Sequence, residues 1–454
     1  MLSISSEFSS SGQIEVILNL ESIDFTISAL DCFNIQSECA RLYIINVIIK
    51  SKNMYHRIMQ LVIVGVGYVG LVTGLSLAKL GHKISFLDTD KEKIETLNQG
   101  IAPFVEPEIE DYLLNSDIQK NVKFYDNYNN IKWDGIDIVL ICVQTPTTED
   151  GDVDISYISS VFNNMEDLID KDSVICIKST IHPLALEKVF KDFSINYDDL
   201  VFNPEFLREG SAFHDFFHTD RVVVGSLNNK NMKKVGELYN GINSEIIYTD
   251  PISSQLVKYL SNAYLPLRLS FVNEASRIVD VLNANQEDVL RGVGLDSRIG
   301  LDYFRPSPGW GGSCFPKDVH EIQSLAKNQN LNLPLVQSII NSNDVHIGWF
   351  SDKLVDILET NNLQQVCLIG ASFKENTDDI RHSPTFVIYK KLQRQEINVE
   401  IYDKSVYSDL VLNDINLLKD NSLIVEMYPL SDSYNLLEDK IKELKHIVYY
   451  RFWN

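Results

Sequence analysis

Short runs of valine, isoleucine and leucine alternate with longer amphipathic segments from residue 59 to the C-terminus. The first runs are LVIVG, KISFLD, DIVLICV, SVICIKST and LVFNPEF, which have the length and composition of buried strands in a parallel sheet. A second series passes through QQVCLIGASF, VEIYDK and SLIVEMYP to HIVYYRFW at the end of the chain. This alternation predicts an α/β protein with two Rossmann-like, doubly wound domains.

Residues 251–285 separate the two series and predict one long helix that joins the domains, with Pro266 bending it or leaving a carbonyl unpaired. Residues 1–58 carry no motif, and MQLVIVGVGYVG then begins abruptly, as a first strand does. Weakly tied termini are commonly mobile. The predicted organisation is a poorly ordered N-terminal extension (1–58), a first Rossmann domain (59–250), a central helical segment (251–345) and a second Rossmann-like domain (346–454).

The composition restricts the partners of the chain. Its 63 acidic and 40 basic residues give a formal net charge of −23, which disfavours nonspecific binding to nucleic acid or anionic membrane. Six cysteines lie scattered without CxxC pairs, which predicts a reduced, cytoplasmic protein and no metal site. The longest apolar run near the start, Tyr43 to Ile49, is too short to span a bilayer.

The segment GVGYVG follows a predicted strand and precedes a predicted helix, as in dinucleotide-binding proteins. Gly65 permits a tight turn, Gly67 lets the backbone approach a pyrophosphate, and Gly70 allows the helix to pack on the strand. Asp88 closes the next strand 23 positions after Gly65, where a carboxylate accepts hydrogen bonds from ribose and repels a 2′-phosphate. The cofactor expected here is NAD, with Lys93 within reach of the same nucleotide.

A second candidate site surrounds the thiol of Cys314, within SPGWGGSCFPKD. The glycines and prolines predict a loop, and Lys317 is placed to favour the thiolate; the alternative is a buried, inert cysteine. Lys258 and Asn262 are four residues apart on one helix face, where both can bind one substrate oxygen or serve only as a solvated lysine and a cap. Glu205 follows a predicted strand at the carboxyl edge of the sheet, as a ligand-binding group or a structural carboxylate.

Eight segments follow one another in the chain: GVGYVG, CVQTPTTEDGDVD, KST, NPEFLREGSA, KYLSNAYLPLRLSFVNE, GVGLDSRIG, GWGGSCFPKD and GASFKENTDDIRHSP. Taken in this order, they resemble the UDP-glucose/GDP-mannose dehydrogenase family, over nearly everything from Met59 to the C-terminus. Phenylalanine is usual in this family where the chain has Trp310, which places a larger ring near the sugar.

The resemblance implies oxidation of a sugar C6 alcohol to a carboxylate with two NAD and a covalent cysteine intermediate, which assigns the nucleophile to Cys314. It places Lys258 and Asn262 around the C6 oxygen. Asp318 and Thr180 match positions that hold or activate water, and Glu205 matches an acid/base for thioester hydrolysis. Which carboxylate is the base stays open at this point.

The resemblance also implies sets of binding residues. For NAD these are Gly65, Gly67, Tyr68, Val69, Gly70, Asp88, Lys93, Thr145, Ser179, Glu209, Lys317 and Arg381. For the UDP-sugar these are Phe206, Leu207, Tyr303, Phe304, Gly311 and Lys374, together with Arg298, which is expected to reach the sugar nucleotide of a neighbouring subunit. The second Rossmann-like domain is expected to bind the UDP part, and the long helix favours a homodimer.

The implied reaction is the four-electron oxidation of UDP-glucose to UDP-glucuronate. Three alternatives remain at this point. The same chemistry can act on GDP-mannose or another UDP-hexose, or the chain can bind a nucleotide sugar without catalysis. A two-electron hydroxyacid dehydrogenase can also use a lysine and an asparagine on one helix, but it has no need for Cys314.

Overall fold

The computed structural model describes residues 3–8, 14–20, 23–27, 57–148, 153–181, 185, 196–430 and 435–452. These residues belong to two compact units, Met1–Arg57 and Ile58–Asn454. In the first unit, three strands form an antiparallel sheet: β1 (Ser3–Phe8), β2 (Ile14–Leu20) and β3 (Ile23–Ile27). The expectation of poor order for residues 1–58 lies largely outside the described residues.

The second unit begins with an eight-stranded sheet in the order β11-β10-β9-β8-β7-β4-β5-β6. All neighbouring strands are parallel except β9 and β10. The strands are β4 (Gln60–Val64), β5 (Lys83–Leu87), β6 (Val122–Tyr125), β7 (Ile138–Ile141), β8 (Val174–Ile177), β9 (Val201–Phe202), β10 (Arg221–Gly225) and β11 (Glu245–Thr249).

Helices cover both faces of this sheet, and its central strands are correspondingly apolar: β7 and β8 are buried along their whole length, and β4 is buried after its first residue. On β4, Leu61 and Ile63 belong to one apolar cluster, whereas Val62 and Val64 belong to the cluster on the opposite face. We call this sheet and its helices the N-terminal lobe. The helices are α1 (Tyr68–Lys79), α2 (Lys91–Asn98), α3 (Ile109–Leu114), α4 (Ser116–Gln119), α5 (Ser156–Met165), α6 (Ala212–Phe217) and α7 (Asn229–Gly236).

A long helix leaves this lobe. Asp250 caps it by accepting a hydrogen bond from the Ser253 amide at 2.9 Å, and Pro251 takes the first helical position, where its missing N–H costs nothing. The helix continues through Pro266, so the proline does not end it. The central helices are α8 (Pro251–Val281), α9 (Gln286–Gly294), α10 (Phe315–Asn328) and α11 (Pro334–Thr360).

A second, fully parallel sheet has the order β14-β13-β12-β15-β16. With its helices it forms what we call the C-terminal lobe, and α11 packs Phe350 and Leu354 into its core. Helix α11 thus runs through residue 345, where the sequence had suggested a boundary. The elements are β12 (Gln365–Ile369), α12 (Pro384–Arg394), β13 (Val399–Tyr402), β14 (Val411–Leu412), β15 (Ser422–Glu426), α13 (Asn435–Glu443) and β16 (Val448–Arg451).

The predicted fold class, two doubly wound α/β domains joined by a long helix, is confirmed.

Where β4 meets α1, Gly65 has a φ of +93°, and a side chain there would press against the Cys142 backbone at 2.8 Å. A Cβ at Gly70 would overlap the Gly65 carbonyl oxygen, whereas a Cβ at Gly67 would meet nothing within 4 Å. The first and third glycines are therefore required by packing, and the second leaves backbone open to a ligand.

This difference predicts opposite outcomes for two alanine variants. Gly70→Ala is expected to lower the free energy of unfolding by about 1–3 kcal/mol, because the loop must move apart. Gly67→Ala is expected to keep the parent stability but to lose roughly tenfold or more in NAD affinity, because the methyl group fills the open backbone cradle. Thermal unfolding and calorimetric titration with NAD measure the two effects. Parent-like NAD binding by Gly67→Ala would contradict this role for the loop.

Candidate active site

A cleft of about 1350 Å³ lies where the carboxyl edge of the eight-stranded sheet meets α8, the loop before α10 and the C-terminal lobe. Open α/β sheets bind ligands at this edge. The sequence-predicted residues that line the cleft are Gly67, Tyr68, Val69, Thr145, Ser179, Thr180, Glu205, Phe206, Leu207, Glu209, Lys258, Asn262, Tyr303, Gly311, Cys314, Lys317, Lys374 and Arg381. The structure thus gathers residues from segments far apart in the chain.

Cys314 is the last residue before α10 and is exposed to this cleft. The preceding glycines serve contacts within the protein. A Cβ at Gly311 would overlap the His382 carbonyl oxygen, and the Gly312 amide donates to the Arg381 carbonyl at 3.0 Å. The missing side chain at Gly311 therefore makes room for the backbone of the C-terminal lobe.

The thiol of Cys314 is protonated at neutral pH in the free protein. Although the residue is exposed to the cleft, dense surrounding protein raises the pKa of the thiol to about 11. The Lys258 ammonium acts against this increase, whereas Asp318 and Glu205 add to it. A cation close to the sulfur therefore controls how readily the thiolate forms.

Lys258 is buried on α8 and donates to Glu205 Oε1 at 2.8 Å. Burial is the largest single effect and lowers the pKa of Lys258, but Glu205, Cys314 and Asp318 together outweigh it and leave the pKa raised. Glu205 lies just beyond β9, and its second oxygen accepts from the Leu207 amide at 2.6 Å. The pair brings one cation and one acid/base group to the floor of the cleft.

Asn262 lies one turn beyond Lys258 on α8, and its amide donates to Asp318 Oδ2 at 2.6 Å. Asp318 is only 1% exposed and lies outside the cleft lining, behind Asn262. Its other oxygen pairs with Lys317 at 2.9 Å. Lys317 was expected to favour the thiolate, but two carboxylates, Asp318 and Glu321, hold its ammonium, and Lys258 is the cation that lowers the pKa of Cys314.

The residues expected to bind NAD fall into two groups. Asp88 accepts from the Val66 amide at 2.8 Å and pairs with Lys93 at 2.9 Å, behind the glycine loop and outside the cleft lining. Thr145 donates to the Thr180 carbonyl at 2.7 Å, and Ser179 donates to the Val143 carbonyl at 2.6 Å. Both hydroxyl groups therefore tie together the loops after β7 and β8, which form one wall of the cleft.

The glycine loop also contacts a carboxylate that the sequence did not reveal. The Tyr68 hydroxyl donates to Glu106 Oε2 at 2.6 Å, and the Gly210 and Ala212 amides donate to the same carboxylate at 2.6 and 2.8 Å. Burial raises the pKa of Glu106. Glu106 lies in FVEPEIE among similar acidic residues, so only the fold identifies it as the link between the glycine loop and the start of α6.

Glu209 connects the two lobes at the cleft. Its oxygens accept from Ser313 at 3.4 Å and from Thr377 at 3.2 Å, and Arg381 lies 3.9 Å away. Burial, with help from the Asp379 charge, raises the pKa of Glu209 to about 7. This carboxyl group therefore changes charge near neutral pH.

The residues expected to bind the UDP-sugar are not all in one place. Phe206, Leu207, Tyr303, Gly311 and Lys374 line the cleft. Burial lowers the pKa of Lys374, as expected for an ammonium with little water around it.

Two residues of that set lie away from the cleft. Phe304 is buried in an apolar cluster with Val272 and Leu290, so the structure does not place it at the site. Arg298 is highly exposed and forms an ion pair with Asp296 at 2.6 Å. Its role toward a second subunit stays a prediction.

Arg221 is a cleft residue that the sequence reading missed. Its guanidinium lies 3.9 Å from the centre of the Phe206 ring and donates to Ser261 at 3.2 Å. Arg221 begins β10, and recognising that strand would have placed the arginine at the sheet. The residue adds a cation beside the aromatic wall of the cleft.

Trp310 lines the cleft but is 6% exposed. Its indole N–H donates to the Ser270 hydroxyl at 2.9 Å, and its backbone amide and carbonyl both bond to the Asn343 side chain at 3.0 Å. The large ring is thus packed between α8 and α11. Its main contribution is to fix the loop that leads to Cys314.

The donor groups at the glycine loop fit a dinucleotide, because Gly67 leaves open backbone at the start of α1. Among the described residues, no cluster of three or more His, Cys, Asp or Glu side chains could hold a metal ion. No helix in the described part of the chain is both long and apolar enough to cross a membrane.

Comparison with known proteins gives a consistent result along the chain. Residues 59–243 match the NAD-binding domain of the UDP-glucose/GDP-mannose dehydrogenase family, residues 252–345 match its central domain, and residues 367–453 match its UDP-binding domain. The three matches follow the order of the lobes described above.

Individual relatives agree with this assignment. UDP-glucose 6-dehydrogenase of Rickettsia felis is 35% identical over 354 residues, which covers 76% of this chain and 78% of that protein. UDP-glucose 6-dehydrogenase YwqF of Bacillus subtilis is 35% identical over 356 residues, 76% of this chain and 79% of its own. The structure of a UDP-glucose dehydrogenase from Pyrobaculum islandicum has a TM-score of 0.76 at 26% identity, covering 88% of this chain and 95% of that one. The chain therefore belongs to the UDP-glucose/GDP-mannose dehydrogenase family and is an NAD-dependent oxidoreductase.

Proposed function

We propose that this protein oxidises UDP-glucose to UDP-glucuronate in two steps, through a thiohemiacetal and a thioester on Cys314. The observation that carries the proposal is the position of Cys314 in one cleft with Lys258, Asn262 and the open backbone of Gly67. A nucleophile, a cation and an amide donor thus lie beside the dinucleotide loop. The names of the Rickettsia and Bacillus relatives support UDP-glucose as the sugar nucleotide.

When bound, NAD supplies a hydride acceptor for each oxidation at the sugar C6 carbon. In the first step the Lys258 ammonium holds the C6 oxygen, and Glu205, 2.8 Å from that ammonium, takes up the hydroxyl proton as the aldehyde forms. Because Lys258 and Glu205 are hydrogen-bonded already, the proton has a short route away from the substrate.

In the second step the Cys314 thiol loses its proton, its sulfur forms a bond to the aldehyde carbon, and the oxygen takes up a proton to give a thiohemiacetal. The Asn262 amide stabilises the negative charge that develops on that oxygen. Loss of hydride and of the hydroxyl proton then leaves a thioester. The aldehyde stays attached to the protein throughout.

Water attacks the thioester carbon in the last step, the carbon–sulfur bond breaks, and the sulfur leaves as the thiol by taking up a proton. We assign Glu205 as the base, because it lines the cleft, whereas Asp318 lies behind Asn262 and is neutralised by Lys317. Asp318 and Thr180 then serve as positioning groups. The net change consumes one alcohol, one water and two NAD, and it forms one carboxylate, two NADH and three protons.

The diphosphate of the substrate needs local positive charge in a protein with a net charge of −23. Lys374 brings that charge from the C-terminal lobe and lines the cleft. Phe206 and Tyr303 supply flat apolar surface beside it. This arrangement supports binding of a nucleoside diphosphate sugar across the two lobes.

The homodimer also stays a proposal. One face of α8 exposes large apolar side chains, with Tyr264 60%, Phe271 58% and Ile278 63% exposed. Such a continuous face is typical of an association surface. The cytoplasmic location expected from the sequence likewise stays a prediction.

The test of the proposed function is the yield of NADH per nucleotide sugar. The purified protein is expected to form two NADH per UDP-glucose and to release UDP-glucuronate, because the thiol retains the half-oxidised sugar for the second step. GDP-mannose and other UDP-hexoses form the comparison panel. One NADH per sugar, or higher turnover of another nucleotide sugar, would contradict the proposal.

Substitution of the nucleophile gives a sharper prediction. Cys314→Ala is expected to lower acid formation by about a thousandfold or more, because no group holds the aldehyde for the second oxidation. Cys314→Ser is expected to stall at an oxygen ester, because an alkoxide is a poorer leaving group than a thiolate. Mass spectrometry of the Ser variant after incubation with UDP-glucose and NAD should find a covalent sugar adduct. Parent turnover by Cys314→Ala would refute the covalent route.

The cation beside the thiol leads to a prediction that needs no substrate. Lys258→Met removes the ammonium that opposes the effect of burial, so the pKa of the Cys314 thiol is expected to rise above about 11. Alkylation of Cys314 by iodoacetamide should therefore be slower by about threefold or more at any pH below that value. Peptide mass spectrometry measures the rate at this one cysteine. An unchanged rate would show that Lys258 does not act on the sulfur.

A further inference from the structure

Glu321 is a fully buried carboxylate that has no part in the chemistry above. It lies on α10, seven residues after Cys314, with 0% of its surface exposed. Tyr259 of α8 donates its hydroxyl to one oxygen of Glu321, and Thr147 donates to the other at 3.2 Å. Lys317 reaches both oxygens, at 3.2 and 3.3 Å. Groups from three separate segments therefore converge on one carboxylate.

A buried charge is costly unless it is paired, so this arrangement needs a cation. Lys317 supplies it and also pairs with Asp318 at 2.9 Å. The ammonium thus lies between two carboxylates on its own helix. Among the described residues, no hydrogen bond joins Lys317 to Cys314, although only two residues separate them in the chain.

The contacts continue from Lys317 to the reaction centre. Asp318 uses the oxygen that Lys317 does not contact to accept from the Asn262 amide at 2.6 Å. Asn262 lines the cleft, whereas Asp318 and Glu321 do not. The chain of contacts therefore runs from a buried anchor, through one cation and one carboxylate, to the amide that faces the substrate oxygen.

We propose that Glu321 is a positioning residue of the reaction centre. By holding Lys317 against Asp318, it keeps that ammonium away from the Cys314 sulfur and fixes the carboxylate that orients the Asn262 amide. Lys258 is then the cation that acts on the sulfur. The role of Asn262 in this inference rests on the proposed function, but the effect on the sulfur does not.

The alkylation rate of Cys314 is a direct measure of this arrangement, because the reactivity of the sulfur depends on the surrounding charges. Those charges are Lys258 from α8, Glu205 from the loop after β9, Asp318 and Lys317 from α10, and Arg381 from the C-terminal lobe. Glu321→Gln removes one negative charge and releases Lys317 from one of its two partners. Alkylation of Cys314 by iodoacetamide at pH 8 is therefore expected to become about threefold faster or more, from a fall of roughly half a unit in the thiol pKa.

Lys317→Gln provides the opposite change. Loss of the ammonium leaves the charges of Asp318 and Glu321 unopposed near the thiol, so the alkylation is expected to slow by a similar factor. In the double variant, the effect of Glu321→Gln should largely vanish, because Glu321 acts through Lys317. Tyr259→Phe is the matched control: it removes a hydrogen bond to Glu321 but no charge, and its alkylation rate should equal that of the parent.

The measurement is the initial alkylation rate at Cys314 from pH 7 to pH 10, obtained by peptide mass spectrometry on the full-length protein, with circular dichroism as the check of folding. An equal acceleration by Glu321→Gln with and without Lys317 would overturn the proposal, since the carboxylate would then act only as a distant charge. If Glu321→Gln does not fold, Lys317→Gln alone tests the proposal. An unchanged alkylation rate of Cys314 in that variant would refute control through Lys317. The alkylation assay contains no substrate, so its result does not depend on whether the protein carries out the proposed oxidation.

Discussion

The buried ion pair between Lys258 and Glu205 fixes the position of both charged groups at the floor of the cleft. Its 2.8 Å contact joins the long helix α8 to the loop after β9. The pair can form only when the helix is correctly positioned against the edge of the sheet. Removing either partner would leave an uncompensated buried charge, which costs about 3–5 kcal/mol. The same pair places a cation beside Cys314 and a carboxylate within reach of water. Stability and chemistry therefore depend on one contact.

Much of the fold was predictable from the sequence. The strands β4, β7 and β8 are buried on both faces, and their continuous apolar runs predicted them. Strands β6 and β11 were not predicted, because their residues are only partly buried and carry no such run. The run RVVVG of β10 was overlooked. Helix α8 continues through Pro266, and the predicted bend or unpaired carbonyl at this proline stays a prediction.

The membership of the cleft was also largely predictable, because family motifs mark the residues by type and order. The pairings were not. Lys317 looked like the partner of the thiol from its distance along the chain, yet the buried Glu321 holds it elsewhere. Phe304 lies next to a cleft residue, Tyr303, but points into an apolar cluster. Glu106 became evident only from three-dimensional contacts, since nothing in its local sequence distinguishes it from an ordinary surface charge, whereas the apolar run RVVVG marks Arg221 as the first residue of a strand.

The hydrogen bond from Trp310 to Ser270 has a consequence for how this loop varies between relatives. A buried indole N–H needs an acceptor, and the Ser270 hydroxyl on α8 provides it at 2.9 Å. A phenylalanine at position 310 removes the donor and leaves the serine hydroxyl with only its 3.5 Å hydrogen bond to the Ile339 carbonyl. The two positions, 40 residues apart, are therefore expected to covary: tryptophan should accompany a small polar residue on the helix, and phenylalanine an apolar one.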